Sequence, residues 1–160
     1  MKTEIIQVEL RGEIIGAAME VLNELKPGLD EKLYERAIVI ELRRRGRLIE
    51  AQRSFPVFYR TELIGDLIPD LIVDKKVIVD AKVVSCFNDS HVAQMIGYLS
   101  ITGLELGLLL NFQSAQLDWK RVVRQNKTEV NVRSSCLVIL IRDIRVIRGS
   151  DMEYLQINRG

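Results

Sequence analysis

Soft metal ligands and nucleophile partners are almost missing from this chain. Its 160 residues include one histidine, His91, and two cysteines, Cys86 and Cys136, with no CxxC pair. That inventory argues against a thiolate zinc site and leaves no plausible Ser-His-Asp or Cys-His set. No glycine-rich P-loop is present either. The opening MKTEIIQVEL has no basic stretch followed by an apolar core, and no run of about 18 apolar residues occurs. A soluble protein of a reducing compartment, cytoplasmic by default, is therefore expected. An excess of one charge is also lacking: 23 basic residues face 22 acidic ones, for a net charge of +1. Attraction to a phosphate polymer would have to come from a local patch.

Apolar content is ample. A hydrophobic fraction of 48% in a chain of this length is enough to bury the core of one globular unit. Ile14, Ile15, Ala18, Val21, Leu22 and Leu25 recur at three- and four-residue steps and mark an amphipathic helix ending at Lys26-Pro27-Gly28. Asp30 then suits an N-cap for a second helix running to Gly46, nearly collinear with the first. Three extended segments follow, Leu48 to Tyr59, Leu63 to Val73 and Val77 to Val84. The last two are apolar on both faces, as central strands are. Helical period returns from Asp89 to Thr102, and Leu106 to Phe112 fits another buried strand. The order α-α-β-β-β-α-β predicts an α/β fold with helices flanking a mixed sheet. Arg124 to Ser135 is polar, and Cys136 to Ile147 is again strand-like, either an added edge strand or a loose extension. Such a strand could also pair across a dimer.

The chemistry concentrates around Asp74-Lys75-Lys76. If these form a hairpin loop, Val73 faces Val77, and the same register sets Asp70 opposite Asp80. Like charges opposed across a strand pair are destabilising and call for a cation or a shared proton. Lys82, two residues on, points to the same face. Carboxylates of this kind suit a hard ion such as Mg²⁺ or Mn²⁺. A lysine beside it can orient or help deprotonate the water that attacks phosphorus.

Pro69-Asp70, nine residues, then Asp80-Ala81-Lys82 resembles the PD-(D/E)xK nuclease superfamily. Gln94 and Tyr98, an i, i+4 pair, match the QxxxY helix motif of its phage lambda exonuclease and helicase-associated nuclease branch. Gly28, Glu31 and Tyr34 read GxxExxY, the signature of a family of small PD-(D/E)xK-like proteins. The resemblance runs from about Ile14 to Val123 and implies a restriction-endonuclease-like core over residues 1–123 with a C-terminal extension over 124–160. It further implies metal ligation by Glu31, Asp70, Asp80 and the Ala81 backbone carbonyl, with Asp70, Asp80, Lys82, Gln94 and Tyr98 as catalytic residues. The expected activity is Mg²⁺- or Mn²⁺-dependent hydrolysis of nucleic acid, DNA in the first instance; the oligomeric state is left open, with a homo-oligomer or a larger complex among the options. The alternative is a non-catalytic nucleic-acid-binding or interaction module on the same fold.

Several other residues have two readings. Arg43, Arg44, Arg45 and Arg47 are a solvated face or, if they border the site, phosphate contacts. His91 is a helix-start histidine or a neighbour of the substrate. Tyr34 is packing between helix and sheet, or a substrate contact. Tyr59-Arg60 and Trp119-Lys120-Arg121 are read as structure or surface, although their composition suits base stacking and phosphate contact.

Overall fold

A computed structural model describes residues 2–124 and 144–148. The described elements are α1 (Lys2–Leu25), α2 (Glu31–Arg44), β1 (Ile49–Ala51), β2 (Phe55–Tyr59), β3 (Glu62–Leu67), β4 (Leu71–Val73), β5 (Val77–Lys82), α3 (Asp89–Thr102), β6 (Leu106–Asn111), β7 (Asp118–Arg124) and β8 (Ile144–Arg148). Six strands form one sheet in the order β1-β4-β5-β6-β7-β8, and β2 and β3 form a separate hairpin. Only β5 and β6 run parallel, joined by the crossover through α3; the other pairs are antiparallel.

Side-chain alternation divides the core into two layers. Val73, Val77, Val79, Leu108 and Leu110 face α1 and α2, where they meet Ile14, Ala18 and Ile38. Ile72, Ile78 and Leu109 face α3, where they meet Met95 and Leu99. Gly107 seats α3 closely, since a Cβ there would collide with the Met95 thioether. No helix among the described residues is long and apolar enough to cross a membrane.

The two N-terminal helices are not collinear. Lys26 and Gly28 take positive φ values of 62° and 112°, which turn the chain back. Arg45, just past the end of α2, consequently reaches Glu20 of α1 at 2.7 Å and the Glu13 carbonyl at 3.4 Å. The physical reason is that each helix has an apolar stripe needing cover, and both stripes find the same sheet face. Asp30 does occupy the N-cap position, but its side chain makes no capping bond. Tyr34 secures the turn instead: its hydroxyl donates to the Lys26 carbonyl at 2.6 Å and accepts from the Leu29 N–H at 3.3 Å. Its buried ring stacks on Phe112, centroids 4.6 Å apart.

The extended segments also divide more finely than expected. Leu48 to Tyr59 breaks at Gln52, which has a φ of 52°, and Leu63 to Val73 breaks around buried Pro69. The central-strand reading holds for β4 and β5, whose apolar residues are buried. It fails for β3, whose Leu63 and Ile64 are exposed on the projecting hairpin. The chain leaves the sheet after Ala51 as β2–β3 and re-enters after Pro69, which has no N–H to offer the ladder. β7 has no counterpart among the elements read from the sequence. Ile144–Arg148 pairs with β7 as β8, while Cys136 and the remainder of the C-terminal segment lie outside the described residues.

Tyr34→Phe keeps the stacked ring and removes both turn bonds. Chemical denaturation should show a loss of about 1–3 kcal/mol; a midpoint equal to that of the unsubstituted chain would mean the hydroxyl does not hold the α1–α2 turn.

Candidate active site

Strand register brings the central acidic pair together. Val73 is opposite Val77 and Leu71 opposite Val79, so the β4–β5 hairpin, continued by one residue, opposes Asp70 to Asp80. Glu31 approaches from the first turn of α2, placed there by the turn that Tyr34 secures. Carboxylate oxygens of Glu31, Asp70 and Asp80 all lie within 4.8 Å of one another. Lys82 Nζ is 2.9 Å from Asp80 Oδ1 and 3.9 Å from Glu31 Oε1.

Asp80 is the most constrained member. It is 1% exposed, and neither carboxylate oxygen accepts a hydrogen bond of regular geometry. Lys82 is at ion-pair distance, but its approach does not meet that geometry. Burial pushes the Asp80 carboxyl up to about 7; the Lys82 ammonium pulls it down, and Asp70 adds to the rise. For Lys82, burial acts to lower the value, but Asp80, Glu31 and Asp70 together hold it above the ordinary lysine range. Lys82 is thus a firmly held cation, and a poor proton acceptor in this state.

The backbone around the cluster leaves one strand carbonyl without a ladder partner. The Phe112 N–H donates to the Lys82 carbonyl at 2.9 Å, so alternation turns the Ala81 carbonyl away from β6 and towards the β4 side. Continuing the Leu71–Val79 register by two residues sets Pro69 opposite Ala81. Pro69 has no N–H to offer, and the Ala81 carbonyl is left without a ladder donor from that strand. Hard oxygen donors around a buried carboxylate with two orphaned acceptors fit a divalent ion.

On α3, Gln94 Nε2 donates to the Tyr98 hydroxyl at 2.9 Å, which leaves the phenol hydrogen free to donate elsewhere. Burial raises the Tyr98 pKa, and the charges of Asp80 and Asp70 raise it further, so the phenol stays protonated and feels the cluster. His91 is not brought in as a site group. It completes a capping box, its backbone N–H donating to Asn88 Oδ1 at 3.1 Å and its Nδ1 accepting from the Asn88 N–H at 3.2 Å.

Two members of the arginine run are committed elsewhere, while Arg43 and Arg44 are exposed. Arg45 bonds Glu41 and Glu20, and Arg47 bonds Glu13 and Asp74. Asp74 lies in the β4–β5 turn, at the opposite end of the hairpin from Asp70 and Asp80. Arg60 lies over the Tyr59 ring at 5.5 Å, and Lys120 over the Phe87 ring at 5.8 Å.

Three residues escaped the sequence reading. Lys32 bonds buried Glu35 at 3.1 Å, and Glu35, then Asp70 and Glu31, favour its charge. The i, i+3 spacing of Lys32 and Glu35 was the available signal. Asn111, at the end of β6, accepts from the Val84 N–H at 3.1 Å and donates to the Val84 carbonyl at 2.7 Å. It thereby fixes the chain just beyond Lys82. A strand-end Asn is too common to reveal that role.

A model of the PD-(D/E)XK nuclease superfamily matches residues 8–122. The chain belongs to that superfamily, and its mixed sheet flanked by helices agrees with the restriction-endonuclease-like fold. No curated protein and no solved structure gives a significant match. Membership implies metal-dependent nuclease chemistry on a nucleic acid, and the acidic cluster could hold the metal.

Stability should report on that cluster. Because the folded protein holds the Asp80 proton up to about 7, this group's contribution is present at low pH and is lost as pH climbs through about 7. Without divalent ions, Asp80→Asn should therefore raise stability at pH 8 by about 1–3 kcal/mol. Mn²⁺ or Mg²⁺ should raise the melting temperature of the natural sequence, more at pH 8 than at pH 6, and should not do so for Asp80→Asn. Equal metal shifts in both proteins would remove Asp80 from the metal site.

Proposed function

We propose that this protein is a Mg²⁺- or Mn²⁺-dependent deoxyribonuclease of the GxxExxY type, hydrolysing phosphodiester bonds. The observation that carries the reading is the buried, unsatisfied Asp80 carboxylate set against Asp70, Glu31 and Lys82. Three carboxylates around one ammonium leave an excess of negative charge that repels a phosphodiester until a cation neutralises it. Glu31, Asp70, Asp80 and the Ala81 carbonyl are the proposed ligands. A divalent ion bound there would supply Lewis-acid charge to the scissile phosphate and its attacking water.

Each remaining residue has a role that its surroundings support. Lys82, held protonated by its acidic neighbours, orients the attacking water and offsets negative charge developing on the phosphate. Tyr98 presents a neutral phenol donor towards a phosphate oxygen. Gln94 positions that donor by occupying the phenol oxygen's acceptor site. Asn111 positions Lys82 through the loop at Val84. The proposed division of labour makes Lys82 an electrostatic group, and proton removal from the water falls to a carboxylate or to solvent.

The test is cleavage of supercoiled, linear and single-stranded DNA with Mg²⁺ or Mn²⁺, comparing the natural sequence with Asp70→Ala and Lys82→Ala. Both variants should lose about 100-fold or more in rate while keeping a folded-state spectrum. If the natural sequence cuts nothing with either ion, or all three proteins cut equally, the catalytic assignment is wrong.

A further inference from the structure

Beside the acidic cluster, the β2–β3 hairpin and α3 enclose an open cleft of about 490 Å³ that shares Gln94 and Tyr98 with the proposed site. We propose that this cleft is a subsite for an unpaired nucleobase of the strand being cut; the proposal rests on the nuclease reading and gives it a substrate class, nucleic acid with bases free next to the scissile phosphate.

Two backbone features leave the cleft open. Gly97 sits in the interior of α3, where glycine costs helix stability relative to alanine. Neither packing nor backbone conformation requires it: a Cβ at Gly97 would meet nothing within 4 Å, and its φ is not positive. What the missing side chain leaves bare is the cleft wall. On the opposite side, the pairing of β2 with β3 passes from Val57–Gly65 to Phe58–Leu63, so Ile64 is the extra residue of a β-bulge. Gly65, with a φ of 152°, permits the bend. Bulges re-aim side chains next to functional sites, and here Ile64 lines the cleft while 65% exposed.

The lining chemistry distinguishes a base from a phosphate. Val57, Ile64 and Leu67 give apolar surface, and Asp66 and Gln94 give an acceptor and an amide at its margins. No lysine or arginine lines it. A phosphate would find no cation there, whereas a nucleobase has apolar faces and polar edges that match. The volume falls in the roughly 300–1,000 Å³ range of small-molecule sites. A strand whose phosphate lies at the acidic cluster would have its adjoining base beside Tyr98, at the mouth of the cleft.

The experiment measures binding, so it does not depend on cutting. Single-stranded DNA oligonucleotides carrying 2-aminopurine at successive positions are titrated with the full chain in Ca²⁺, alongside strands with an abasic position and a continuous duplex. A fluorescence change confined to one or two neighbouring positions is expected. Removing that base, or the substitution Gly97→Leu in the protein, should weaken binding about tenfold. Gly97→Leu should leave duplex affinity unchanged, and its melting temperature should equal or exceed that of the natural sequence, because leucine is the better helix former. Ile64→Ser, at an exposed position, should act in the same direction. Equal affinity for native and abasic strands, unchanged single-strand binding by Gly97→Leu, or no single-strand binding by the natural sequence would each overturn the subsite. Base-dependent binding by a protein that cuts nothing would sink the nuclease reading and leave the subsite standing. Cutting without any base dependence would do the reverse.

Discussion

A carboxylate buried in the middle of a β-sheet, with no hydrogen bond to either oxygen, is the constraint around which this protein is organised. Asp80 lies beside Leu109 in the parallel β5–β6 register, where most sequences would carry an apolar side chain. Lys82 is the nearest cation, and Asp70 and Glu31 add like charge across a few ångströms. The folded chain tolerates this either by keeping the Asp80 proton or by accepting a counter-ion, and the two alternatives respond oppositely to pH. A carboxylate so placed costs local stability, which a bound cation would return.

The surrounding structure holds that arrangement from several directions. Tyr34, through its ring on Phe112 and its hydroxyl in the α1–α2 turn, sets the start of the helix that carries Glu31. Asn111 holds the chain beyond Lys82, and Gly107 lets Met95 draw α3 onto the sheet, which aligns Gln94 and Tyr98. Pro69 withholds an N–H opposite Ala81. None of these residues carries the site's charge, yet each limits how far a charged neighbour can drift.

Electrostatics are divided between scaffold and site. Arg45 and Arg47 are paired to Glu13, Glu20, Glu41 and Asp74, tying α1, α2 and the β4–β5 turn together at the end of the hairpin remote from Asp70. Two of the four arginines of the densest basic run therefore serve the fold, while Arg43 and Arg44 remain exposed. With a net charge of only +1, the molecule as a whole offers a polyanion little attraction.

The amino-acid sequence by itself determined the parts of this protein that depend on local spacing. The loop Asp74 to Lys76 set the register Val73–Val77 and hence the opposition of Asp70 and Asp80; period two put Lys82 with Asp80, and period 3.6 put Gln94 with Tyr98. Tertiary structure decided what local spacing does not contain. The reversal at Lys26 and Gly28 folded α1 back along α2, because two apolar stripes compete for one sheet face. The excursion of β2–β3 around Pro69 took Leu63 and Ile64, whose pattern matched a buried strand, out to the surface beside α3. Glu31 is the clearest case. Along the chain it is a first-turn glutamate like many others; only the packing of α2 over the end of the sheet brings its carboxylate to Asp80, since charge density at a point depends on distances in space that periodicity does not encode.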